Sequence, residues 1–248
     1  MVAKISWEVH NNKFHKSWWP YMEEIIESPE VYNIYQELKR EKGVGLTITP
    51  ASDNTFRSFQ LDLNNLKIVV MAMSPYPQVH NGEYKSNGIA LDCSQYGGLS
   101  NSLVKFYEAV EDDIYDGLCL ECNRENLSLQ WLIDQGMMFT NSSLTCLKDS
   151  PDAHKELWKP FWKQVFEKIF FPRTGLIFML LGNNAQELED FTNPVGHHVL
   201  KCEHPVASSY RRDKMKHNNI FSKANELLEG MNGADYKIEY NYNEILPF

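Results

Sequence analysis

Four short apolar runs in this chain each end in residues able to hydrogen-bond or to fix a turn. Lys67 to Met73 runs into Ser74-Pro75-Tyr76-Pro77, and Met137 to Thr140 ends at Asn141. Leu176 to Leu181 ends at Gly182-Asn183-Asn184, and His198 to Cys202 at Glu203-His204-Pro205. An asparagine amide donates and accepts, and a neutral imidazole does both with one nitrogen each. Taken singly, Asn141 is equally a turn residue, and His204 equally a histidine satisfied within its own turn. Brought together, these groups would form a polar ligand pocket.

A second chemistry-bearing feature lies just beyond. Residues 201–223 carry Lys201, Arg211, Arg212, Lys214, Lys216 and Lys223 against Glu203 and Asp213, a local charge of +4 within a total of -9. The segment reads either as a solvated loop or as a phosphate-facing patch on an acidic body. Cys119 and Cys122 have the separation of half a zinc site, but no second pair follows, so no metal is expected. Gly182-Asn183-Asn184 lacks the glycine-rich string and lysine of a phosphate loop. His80, His154, His197 and His198 have no partner evident from spacing.

The elements that must position these residues follow from periodicity. Ser28-Pro29-Glu30 opens a helix, Val31, Tyr32, Ile34, Tyr35 and Leu38 form its stripe, and Gly43 stops it. Residues 46–60 read as a loop. Residues 100–113 read as a helix with Leu103, Phe106, Tyr107 and Val110 on one face. Leu129 to Asp134 reads as a short helix. Residues 153–171 read as one amphipathic helix with Pro160 in its first turns, and 221–229 as a helix stopped by Gly230. The apolar runs are strands. Strands separated by helices predict an α/β protein: a three-layer α/β/α sandwich around a central, mostly parallel four-stranded sheet. One domain spanning residues 1–248 is the expectation. Such sheets bind ligands outside the carboxyl ends of their strands. All four polar strand ends would meet there.

Composition bounds the rest. Of 248 residues 43% are hydrophobic and 12% aromatic, too many for a disordered chain. No apolar run reaches the ~18 residues of a membrane span. The first residues lack the apolar stretch of a secretory signal. Five cysteines, an odd number without framework spacing, point to reduced thiols and a cytoplasmic or nuclear setting. The net charge of -9 argues against strong non-specific nucleic-acid binding.

In order along the chain, these segments resemble the uracil-DNA glycosylases of the first family. LIFMLLGNNAQ is similar to that family's LLWGxxAQ, HHVLKCEHP to its HHVLxxxHP, and FSKANELL is nearly the family string itself. AHKELWKPFW stands where the family has SHKxxGWxxF. The similarity runs from about residue 16 to about residue 230 and is densest over 129–229. It implies a site that takes a uracil flipped out of DNA and hydrolyses its N-glycosidic bond, with neither metal nor nucleotide cofactor. By that resemblance Asn141 hydrogen-bonds N3–H and O4 of the base. His204 donates to O2 as the base departs as an anion. Tyr76 blocks a 5-methyl group, Pro75 holds the turn, and Met73 precedes it along the base site. Ser208, Ser209, Tyr210, Arg211, Arg212 and Lys214 fall on the loop that meets DNA.

Departures from the pattern bear on activity. The family reads G-Q-D-P-Y-H where this chain reads Ala72-Met73-Ser74-Pro75-Tyr76-Pro77. Ser74 replaces the aspartate that polarises water and balances the sugar cation, a loss of about 3–4 kcal/mol in comparable cases. Leu91 replaces the phenylalanine that stacks on the base, where an aromatic is worth about 1–3 kcal/mol. Ser208 replaces the leucine wedge, leaving Tyr210 or Met215 as alternatives. Gly97-Gly98 replaces a proline-rich loop. Two functions are therefore open: a DNA glycosylase with weakened chemistry, or a glycosylase-fold module that holds DNA or a protein partner. A nucleotide enzyme on the same type of sheet is a third.

Overall fold

The apolar runs are continuous rather than alternating because both faces of the sheet they form are covered. The computed structural model describes residues 5–96, 100–117, 128–189 and 196–240. Helices α1 (Trp19–Ile26) and α2 (Pro29–Gly43) precede strand β1 (Ile68–Ala72). Helix α3 (Asn101–Ile114) and strand β2 (Met137–Asn141) follow. Then come helix α4 (Lys159–Val165) and strands β3 (Ile177–Leu181) and β4 (His198–Cys202). Helices α5 (Pro205–Arg211) and α6 (Ile220–Asn232) lie beyond β4.

The sheet order is β2-β1-β3-β4, and every pair is parallel. Residues alternate between two cores across it. Val69, Met71, Met138, Phe178 and Leu180 face an aromatic-rich core built with Trp18, Phe59, Phe161, Trp162 and Phe170. Ile68, Val70, Phe139, Met179 and Leu181 face a second core holding Leu103, Phe106, Val110, Phe221 and Leu228. The three-layer α/β/α architecture expected from the sequence is thus the one observed, with the sheet fully parallel.

Serine caps open two of the helices. Ser28 Oγ accepts from Val31 N at 3.3 Å, and Ser100 Oγ from Leu103 N at 2.9 Å. Three expectations need correction. The stretch 153–171 is not one helix: turns run to Trp158, α4 follows, and Phe166–Phe170 form a π turn. Pro160 sits in the first turn of α4, where its missing N–H leaves no bond unmade. Gly230 lies inside α6 facing open space, and the helix ends at Gly233, whose φ is +93°. A glycine costs a helix only about 1 kcal/mol, so packing carries α6 through it. The 46–60 loop contains Ile48–Thr49, paired antiparallel with Cys146–Leu147.

His154, unassigned from sequence, closes a buried network. Its Nε2 lies 2.8 Å from Glu41 Oε2 and its Nδ1 2.8 Å from Thr145 Oγ1. Trp158 Nε1 donates to the same hydroxyl at 2.8 Å. The network ties α2 to the segment after β2. Cys93, Cys146 and Cys202 are buried free thiols, whereas Cys119, Cys122, Gly97 and Gly98 lie outside the described residues. Among the described residues no helix is long and apolar enough to cross a membrane.

Substituting His154→Leu should strand the buried Glu41 carboxyl and Thr145 hydroxyl together. The expected loss is about 3 kcal/mol in urea unfolding, and a loss below about 1 kcal/mol would contradict a structural role for the network.

Candidate functional site

Parallel register places the strand ends side by side. Ala72 is directly opposite Asn141, and Leu181 opposite Cys202. Pairing continues beyond the β1–β2 ends: Ser142 N donates to Ala72 O at 2.8 Å, and Ser143 N to Met73 O at 3.1 Å. The Ser142 hydroxyl also donates to Met73 O at 2.8 Å. These bonds hold the Ser74-Pro75-Tyr76 turn beside Asn141. In the order β2-β1-β3-β4 the direction in which successive strands are added reverses between β1 and β3, where ligand crevices form in open parallel sheets.

An inner pocket opens there. Ser74, Tyr76, Leu91, Asn141 and His204 line it, together with Ser86, Ile89 and Ser102. Asn141 is 3% exposed. Its amide has no hydrogen-bond partner among the described residues. Ser74 Oγ is buried and likewise unpartnered among the described residues. Buried polar groups normally find partners, so both point to a ligand or solvent they would bind. No carboxylate lines the pocket among the described residues. The cavity measures about 20 Å³, room for about one water.

Tyr76 is fixed as a wall. Its Oη lies 2.6 Å from Ser100 Oγ and 3.1 Å from Leu91 O. Burial pushes its phenol up to about 12, so it stays neutral. Leu91 adopts φ +66°, rare for a branched side chain, and its carbonyl is also bonded by Ser100 Oγ at 2.9 Å. Asn87 and Asp92 brace this turn: Asn87 Nδ2 donates to Asp92 Oδ2 at 2.6 Å, and Ile89 N to Asn87 Oδ1 at 3.0 Å.

His204 caps α5. Its Nδ1 accepts from Val206 N at 3.1 Å, which places the proton of the neutral ring on Nε2. Burial depresses its pKa to about 4, so the ring is neutral at pH 7 and Nε2–H is free to donate. Spacing alone did not reveal what the Gly-Asn-Asn-Ala-Gln segment does. A Cβ on Gly182 would lie 2.7 Å from His204 Cβ, so glycine permits the close approach. Gly182 N and Gln186 Nε2 each donate to Cys202 O at 2.9 Å, fixing the strand end that carries His204. Asn183 and Asn184 do not line the pocket; Asn184 bonds Asp152 at 2.9 Å. Ser86 and Ser102 also line the pocket and carried no sequence signal.

A wider groove of about 410 Å³ leads outward, lined by Met73, Lys85, Val206, Ser209 and Tyr210 among others. Ser208 is not on this surface: it is fully buried, and its hydroxyl donates to Pro205 O at 2.9 Å. Helical winding of α5 turns it inward. Met215 is likewise buried at 4% exposure, which removes it as a wedge, whereas Tyr210 is 84% exposed at the groove. Three of the six cations of the basic segment hold carboxylates. Arg211 bridges Glu203 and Asp213 at 2.8 and 2.9 Å, Lys214 pairs with Asp112 at 2.5 Å, and Lys201 pairs with Glu189. Arg212 and Lys216 have no ion-pair partner among the described residues.

No protein-family model matches the chain. Curated relatives do. The chain is 31% identical over 192 residues to a uracil-DNA glycosylase of Sodalis glossinidius, covering 77% of this chain and 81% of that protein. It is 30% identical over 210 residues to one of Pectobacterium atrosepticum, covering 82% and 87%. Among solved structures, mimivirus uracil-DNA glycosylase superposes with a TM-score of 0.75 at 18% identity over 94% of this chain and 93% of that one. A variant of the mimivirus protein in complex with UGI superposes with a TM-score of 0.73 at 18% identity over 94% of each chain. Fold and sequence agree, and the chain belongs to the uracil-DNA glycosylase family.

Proposed function

We propose that this protein binds DNA and hydrolyses the N-glycosidic bond of a flipped uracil or a closely related pyrimidine, at a reduced rate. The observation that carries the reading is the pairing of two unpartnered groups across one pocket, the Asn141 amide and the neutral His204 Nε2–H. Asn141 answers N3–H and O4 of uracil with one acceptor and one donor. Tyr76 fills the space a 5-methyl group would need. Leu91 packs on the ring in place of an aromatic. The cavity is too small for a base as it stands, so the pocket widens on binding.

In the reaction the C1′–N1 bond breaks with its electron pair leaving on the base. Charge develops on O2, where His204 Nε2–H donates. A neutral donor suits this task because its hydrogen bond strengthens only as charge appears. Water adds to C1′ and releases a proton. Ser74 Oγ can hold that water but brings no negative charge to the sugar cation. The missing charge corresponds to a rate lower by about 10²–10³. Tyr210, large and exposed beside the groove, is the side chain suited to fill the gap a flipped base leaves.

Ser74 also supports a second reading, a module that holds DNA without cutting it. The two separate in one assay. Uracil-containing single- and double-stranded DNA, treated with alkali after incubation, should show scission above an Asn141→Ala/His204→Ala control. Ser74→Asp should raise the rate on the order of a hundredfold. Retained DNA binding with no scission from either form would favour the module.

The acid limb of activity supplies a second check. A ring with its pKa held at about 4 remains neutral well below the ordinary histidine value. Excision should therefore stay level from pH 8 to about pH 5. The same depression stabilises the fold above the unfolded value and is lost as pH falls through about 4. An acid limb centred near the ordinary histidine pKa would contradict this assignment.

A further inference from the structure

The groove outside the pocket belongs to an acidic chain, net -9, yet no carboxylate lines it among the described residues. One cation does. Lys85 follows the short hairpin in which Val79–His80 pairs with Glu83–Tyr84, and its backbone N donates to Gln78 O at 3.1 Å. Its ammonium stands 4.8 Å from the centroid of the Tyr76 ring. It makes no ion pair with any described residue. The nearby Asp92 carboxylate is engaged by Asn87 Nδ2 at 2.6 Å and by Ser94 N at 2.9 Å. In the basic segment Arg211, Lys214 and Lys201 hold carboxylates, and Arg212 and Lys216, which have no ion-pair partner among the described residues, do not line the groove.

We propose that Lys85 is a phosphate-binding residue at the mouth of the pocket, taking a backbone phosphate of the nucleic-acid strand whose base enters. This rests on the reading of the site as a nucleic-acid pocket. Three features support it. The ammonium is unpaired, so a phosphate displaces no existing ion pair. It is held over an aromatic face, which limits its freedom while leaving its N–H groups available. It lies beside Tyr76, the wall of the base pocket, so a phosphate held there is close to the nucleotide being read. A lone ammonium recognises phosphate as a point charge and carries no sequence information. The DNA contact then comes from the hairpin after β1 as well as from α5, the element the basic sequence segment pointed to.

The test is the salt dependence of binding to a fluorescent single-stranded oligonucleotide carrying one uracil, followed by anisotropy from about 50 to 200 mM salt. Each phosphate contact on a single strand contributes about 0.7 to the slope of log K against log salt. Lys85→Met should bind several-fold more weakly at low salt, with a slope shallower by about 0.7. Lys85→Arg should keep the wild-type slope. Lys85→Gln serves as a second neutral variant, and thermal melting of each confirms the fold. A role confined to steadying Tyr76 would change affinity without changing the slope. Wild-type slope in both neutral variants would overturn the proposal while leaving the pocket reading intact, provided the wild type itself binds. A wild type with no salt-dependent binding would overturn both.

Discussion

The in-register parallel pairing of β1 with its neighbours is the constraint on which the site depends. Because Ala72 sits opposite Asn141, the chain leaving β1 must turn beside that amide. Because Leu181 sits opposite Cys202, His204, two residues beyond the end of β4, emerges beside the end of β3. A slip of one residue would exchange the faces of a whole strand. It would bury Asn141 in one of the two cores and disperse the pocket. The alternation of Val69 and Met71 against Ile68 and Val70 between two different cores makes that slip costly.

The electrostatics of the pocket follow from what surrounds those ends. Burial keeps His204 neutral and Tyr76 protonated. Both then act as dipoles rather than ions. Ser74 likewise brings no charge where the family has an aspartate. A site of this kind can recognise a neutral base and stabilise a departing anion, yet it offers the sugar cation little. Binding and chemistry are thus separable here to a degree that a carboxylate at position 74 would not allow.

Much of this was legible in the sequence because it follows from short-range rules. Apolar runs of four to seven residues pointed to the strands, Ser28-Pro29-Glu30 to a helix start, and polar strand ends to the candidate site. The misses have physical causes. Periodicity over 153–171 does not report that His154 is pulled into a buried network, which breaks the helix upstream of Pro160. Charge counting over 201–223 cannot see that Asp112, distant in sequence, neutralises Lys214. Nor does spacing reveal that α5 turns Ser208 inward and Tyr210 outward. The role of Gly182 depends on a tertiary approach to His204 that no local pattern encodes.

Imidazole nitrogen NMR on the protein titrated with free uracil, and separately with thymine, probes the pocket most directly. Before titration His204 should be neutral at pH 7 with its proton on Nε2. Uracil should shift that Nε2–H and the Asn141 side-chain amide together, while thymine moves neither. A charged ring at pH 7, or uracil shifting one of the two groups without the other, would mean that they do not share a slot.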